Sequence, residues 1–164
     1  MRRSIAALFG IGLQMSLVGA HGQERAMQRE AQASLYSAKS LRCVLGAGIH
    51  TTWSQGIPGT KPAQFASEAA KATMVFDSID IQRRVARLIG EIGATDVSII
   101  SDSGGLTFTE RTPNGPNVTT VYPYYNNAKG GRLLMVQSRH MVILPFLMGS
   151  PAPSQYYGSC EVLE

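Results

Sequence analysis

The sequence predicts a mainly antiparallel β domain of about seven or eight strands, closed into a small barrel or a sandwich. Three observations carry that expectation. Between Ala94 and Arg111, Val97 and Ile99 alternate with Asp96 and Ser98, and Leu106 and Phe108 alternate with Thr107 and Thr109. Successive strand side chains point to opposite faces, so this is the pattern of two half-buried strands. Ser101-Asp-Ser-Gly-Gly105 stands between them as a hairpin loop. Second, the chain holds 17 Gly and 8 Pro with only 16% charged residues, a balance that suits short strands joined by turns. Third, its 164 residues supply one domain rather than two.

Taken in order, Met1 to Ala20 is expected to be a secretory signal. Arg2 and Arg3 form a basic n-region, residues 5–18 are apolar, and Val18-Gly-Ala20 places small residues at the cleavage point. The segment is short and glycine-rich for a membrane span, so no stable span is expected after cleavage. Residues 21–39 are rich in Ala, Gln, Arg and Glu. They read as a mobile or helical polar spacer outside the core. The remainder, 40–164, is expected to be a single β domain.

Val44, Leu45, Ile49 and Trp53 give residues 40–53 the apolar surface of a first strand, bent by Gly46 and Gly48. Gln55 to Pro62 reads as loop by composition. Residues 63–72 are alanine-rich, enough for a turn of helix. Thr73 to Ile79 reads as a strand with Met74, Phe76 and Ser78 on one face and Val75 and Ile79 on the other. In residues 81–92, Ile81, Val85, Leu88, Ile89 and Ile92 fit an amphipathic helix capped by Asp80. Gly90 and Gly93 argue against it, and a strand after a turn at Gln82-Arg83 is the alternative.

Thr112-Pro-Asn-Gly-Pro116 is a turn. In the strand that follows, Val118, Thr120, Tyr122 and Tyr124 share a face, and Pro123 favours an edge or a bulge. Residues 132–144 are apolar on both sides at Leu133, Leu134, Met135 and Val136, as in a central strand. Residues 155–163 make a last strand bearing Cys160.

Four short stretches, Ala86-Arg-Leu-Ile-Gly90, Gly105-Leu-Thr-Phe-Thr-Glu110, Ser138-Arg-His140 and Ser154-Gln-Tyr-Tyr-Gly-Ser-Cys160, resemble a loose group of small exported bacterial proteins of no known activity. The resemblance covers residues from 40 onward. It implies a strand through Ala86 to Ile89, deciding the local ambiguity, and it implies no catalytic residues.

The charge is +4. Removing Arg2 and Arg3 from the 15 basic residues leaves 13 against 11 acidic, so nucleic-acid binding is not expected. No Gly-x-Ser-x-Gly elbow, P-loop or dinucleotide fingerprint is present, and no cofactor is expected. Asp77, Asp80, Asp96 and Asp102 are too dispersed for a metal cluster. Ser138, Arg139 and His140 form the densest polar group on an apolar strand. Ser138 and His140 share one face and Arg139 takes the other, where its planar fork suits an anion. A strand end emerging from the core gives the same pattern. Trp53 and the tyrosines supply amphipathic contact surface.

The two cysteines, Cys43 and Cys160, lie in the first and last strands of the folded part. In an exported protein they are expected to pair, and a sheet closing on itself would bring those strands together. The expected role is binding of a small ligand or a protein partner. An inhibitor or accessory protein of an envelope enzyme, acting through Gln55–Pro62 or Thr112–Asn117, is the alternative, and a hydrolase has least support.

Overall fold

A computed structural model describes residues 12–63, 73–90, 93–126, 131–143 and 150–163. A helix, α1 (Gly12–Ser37), precedes nine strands: β1 (Ser40–Ser54), β2 (Ile57–Ala63), β3 (Thr73–Asp80), β4 (Val85–Gly90), β5 (Gly93–Asp102), β6 (Gly105–Thr112), β7 (Gly115–Asn126), β8 (Arg132–Ile143) and β9 (Ser150–Leu163). Every pairing is antiparallel, and β9 returns to β1. Eight strands thereby close a barrel, and β2 stands outside the ring as an extra strand on the far half of β1. The predicted fold class is the observed one, and closure decides for the barrel over the sandwich.

The alternation of the sequence becomes the inside and outside of this wall. Leu41, Cys43, Leu45, Met74, Phe76, Ala86, Leu88, Val97, Ile99, Leu106, Phe108, Val121, Leu133 and Met135 point inward and are buried. Phe76 and Phe108 stack across the interior with ring centroids 4.0 Å apart. The interior is thus packed core. The outward positions mix charged residues such as Arg42, Arg87, Arg132 and Glu161 with exposed apolar ones such as Val85, Ile89, Ile100 and Leu134. Among the described residues, no helix is long and apolar enough to cross a membrane.

Barrel walls must bend, and three register shifts supply the bends: in β1 between Leu45 and Gly48, in β3 between Asp77 and Asp80, and in β7 between Val121 and Tyr125. Of the edge or bulge expected at Pro123, the structure shows the bulge, the third of these. The second corrects the expected faces of β3. Ser78 takes a positive φ of 53°, which breaks the alternation, so Ser78 is exposed and Ile79 is buried.

Residues 85–90 are a strand, as the resemblance implied. The helical spacing there is overridden because Ala86 and Leu88 find inward positions at period two. Asp80 caps a turn rather than a helix, its Oδ1 accepting the Arg83 amide at 2.9 Å. Gln55–Pro62 is a second correction. Gln55 and Gly56 form a two-residue turn with φ of 52° and 79°, the type I′ geometry of tight hairpins, and Ile57–Ala63 pairs along β1. The alanine-rich stretch from 64 to 72 lies outside the described residues.

The spacer is helical to Ser37, one of the two expected alternatives, but it does not stand outside the core: Ala31 and Leu35, with Ala38 just beyond the helix, join the core cluster, and α1 packs against β7 and β6. The four-residue spacing of Ala31 and Leu35 puts both on one helix stripe. Tyr36 ties this helix to the β5–β6 turn, donating its hydroxyl proton to the Asp102 carbonyl. The helix therefore covers the end of the barrel where β5 turns into β6.

Candidate functional site

The end opposite α1, where β6 turns into β7, is polar inside. Phe108 aligns with Thr119, Thr119 with Gln137, and Gln137 with Tyr156. One layer further out, Glu110 aligns with Asn117, Asn117 with Arg139, Arg139 with Ser154, and Ser154 with His50. Inward parity thus gathers five polar residues from five consecutive strands into one layer at the barrel mouth. Gly48 makes room beside it, since a Cβ there would collide with the Gln155 carbonyl and the Tyr156 ring.

Hydrogen bonds stitch these layers together. Asn117 Nδ2 donates to Glu110 Oε2 at 2.7 Å, and Gln137 Nε2 donates to Thr119 Oγ1 at 3.2 Å. Arg139 Nε donates to Gln137 Oε1 at 2.8 Å, and its guanidinium lies 5.1 Å from the centre of the Tyr156 ring. Gln137 and Thr119 are among the core residues, and satisfied bonds are what allow amides and hydroxyls there. Asn117 Oδ1 is the exception among the described residues, buried without a partner.

Of the predicted binding residues, Arg139 belongs to this mouth. Ser138 and His140 face outward from the same strand, so the triplet divides as its alternation required. Ser138 receives a 3.4 Å hydrogen bond from Gln155 Nε2 on the outer wall, and His140 is exposed. Trp53 belongs to neither group. It lies on the β1–β2 arm, 43% exposed. The four residues therefore do not form one site.

The arm has its own logic. Ser54 and Ile57 flank the two-residue turn and so form a hydrogen-bonded pair. Bonded and non-bonded pairs alternate, so Thr52–Gly59 and His50–Lys61 are also bonded. Trp53–Pro58, Thr51–Thr60 and Ile49–Pro62 are the non-bonded pairs, where opposed side chains stand closest. In those pairs the β2 backbone turns toward its free edge. Two of the three free-edge positions are prolines, which have no N–H to offer an incoming strand. The same register puts Ile49, Trp53, Pro58 and Pro62 on one face of the arm. Among the described residues, β2 pairs with β1 alone.

The cysteines meet as predicted. Cys43 and Cys160 are directly opposed in the β1–β9 ladder, disulfide-bonded, with Cα atoms 4.0 Å apart. Outside the wall, Arg42 and Glu161 are opposed in the next position and form an ion pair. The sequence itself carries a sign of this pairing. Each cysteine has a charged neighbour, Arg42 before one and Glu161 after the other, and antiparallel pairing of the cysteines must bring those two together. Glu110, Asn117, Thr119 and Gln137 were missed because only the register reveals that they share a mouth.

Ser154 and His50 are opposed across β9 and β1. Among the described residues no hydrogen bond joins them, and no three His, Cys, Asp or Glu side chains gather as a metal site. No protein-family model and no curated protein matches the chain.

Proposed function

We propose that this chain is an exported, non-enzymatic domain that binds a protein partner through the β1–β2 arm, as an inhibitor or accessory protein of an envelope enzyme would. The observation that carries this reading is the arm itself. It projects from a closed barrel on a tight turn, with Trp53 43% exposed and Ile57 69% exposed. Proline blocks its free edge, so it presents side chains without inviting strand addition. Tryptophan is the residue type most often dominant in binding interfaces. The packed interior, with Phe76 stacked on Phe108, supports a partner at the surface over a ligand enclosed in the barrel.

Export is part of the proposal. A disulfide in a small β-barrel is compatible with an oxidising compartment, and the basic, apolar, small order of residues 1–20 supports a cleaved signal. Protein recovered from the envelope or medium should begin at His21 by N-terminal sequencing.

The binding reading is tested with a photo-crosslinking residue at Thr60, on the Trp53 face of the arm, or at Ile100 on the far wall, in cells expressing the full chain. A discrete adduct is expected from position 60 alone. Trp53→Ser should abolish it while leaving the thermal midpoint unchanged. Equal adducts from both positions, or an adduct indifferent to Trp53, would overturn the proposal.

A further inference from the structure

The outer wall carries a notch of about 200 Å³ lined by Arg42, Val44, Thr73, Arg132, Ser159 and Glu161. Its origin lies in the register around the closing seam. Arg42 is opposed to Glu161 across β1 and β9, and Leu133 is opposed to Cys160 across β8 and β9. Arg132 therefore flanks Glu161 on its other side. One carboxylate stands between two guanidiniums, and this row lies outside the disulfide. In the next outward row, Ser159, Val44 and Thr73 are aligned across β9, β1 and β3. Their short side chains leave the space that longer ones would fill.

The two arginines are not equivalent. Arg42 engages Glu161 Oε1 through both Nε and Nη2. Arg132 Nη2 stays 3.6 Å from Oε2, beyond hydrogen-bond distance. Glu161 is thus largely satisfied by Arg42, and the Arg132 fork retains donors that the carboxylate does not use. The row carries one surplus positive charge. A notch of this volume far exceeds the about 10–15 Å³ that one water needs, so it admits a small anion with part of its hydration.

We propose that this notch binds a small oxyanion of the phosphate or sulfate kind. Arg132 is its principal ligand through the planar donors that match such oxygens, and the Ser159 hydroxyl donates from the notch wall. Arg42 and Glu161 act as positioning residues, with Arg42 neutralising the carboxylate that would otherwise repel the anion. A bound oxyanion bridges β8 and β9 beside the disulfide and so stabilises the closed wall. This site lies apart from the arm, and the proposal does not depend on the arm's function.

The test is a thermal titration of the disulfide-intact full chain with sodium phosphate, against sodium chloride at matched ionic strength. A saturable rise specific to phosphate is expected. Arg132→Gln should weaken the apparent affinity at least tenfold, whereas Arg111→Gln, on the outward side of β6, should leave it unchanged. Phosphate also stabilises proteins by exclusion from their surfaces, so a rise that persists in Arg132→Gln would overturn the proposal. So would equal effects of phosphate and chloride. Should Arg132→Gln fail to fold, amide chemical shifts of the unaltered protein decide. Phosphate-dependent shifts centred on Arg132 and Ser159 support the site, and shifts elsewhere sink it. Glycerol phosphate in place of phosphate tells whether the anion is taken free or as the phosphoryl group of a larger molecule.

Discussion

Phe108 shows how one side chain holds the wall closed. It is 1% exposed and stacks on Phe76, which comes from β3 on a non-adjacent part of the ring. Its burial therefore couples distant strands as well as its neighbours. Phe108→Ala is expected to cost about 3–5 kcal/mol, the range for a buried aromatic replaced by a cavity. Urea unfolding measures this, and a loss under about 1 kcal/mol would show that the site collapses around the gap. Asp77 is a residue of the opposite kind. Its carboxyl is held below the usual value chiefly by the Ser40 hydroxyl, which donates at 2.6 Å. A depressed carboxyl stabilises the fold above its unfolded pKa, and that contribution fades only as acid protonates the folded group.

At the scale of elements, α1 and the arm are both attached locally and testable separately. Tyr36 anchors α1, and its hydroxyl pKa is raised above 10.0, first by burial and then by the Asp102 charge. A raised tyrosine favours the neutral form in the fold. Its contribution is present in full below pH 10.0 and is lost as pH rises through the folded value. Helix amides should therefore exchange faster at high pH in the wild type than extrapolation from neutral pH predicts, and Tyr36→Phe should remove that excess. Identical alkaline profiles would exclude Tyr36 as the latch. For the arm, replacing Pro58 and Pro62 with Thr should leave the β1–β2 ladder intact, since neither position donates to it. The change restores free-edge N–H groups, and concentration-dependent association in light scattering is the expected result. A double variant that stays monomeric would mean that the prolines serve another purpose.

The whole molecule is one ring, and its closure is reinforced at the β1–β9 seam. The disulfide joins residues 117 apart in sequence. On the chain-entropy account a loop of that length is worth about 4–5 kcal/mol, less where the unfolded chain keeps structure. Reduction should lower stability by up to that amount, while the backbone ladder and the Arg42–Glu161 pair keep the barrel folded in mild conditions. Far-ultraviolet circular dichroism with and without reductant measures it. A reduced chain as stable as the oxidised one would place the seam's strength in the ladder alone.

Much of this architecture follows from local pattern. The alternation at Val97, Ile99, Leu106 and Phe108 determined a hairpin and its inward face, because period two admits no other half-buried arrangement. Pro123 favoured an edge or a bulge because it lacks an N–H, and the bulge is what the closed sheet takes. The splitting of Arg139 from Ser138 and His140 followed from the same parity. Tertiary structure decided the rest, where local terms were nearly balanced or silent. The helical spacing around residues 85–90 yielded to strand because neighbours on both sides completed its hydrogen bonds. Gln55–Pro62 read as loop because prolines weaken strand propensity, yet they occupy positions that need no N–H. The polar mouth and the Arg132–Glu161–Arg42 row draw residues from strands far apart in the chain. Only the register between strands brings them together, and register is a property of the closed sheet.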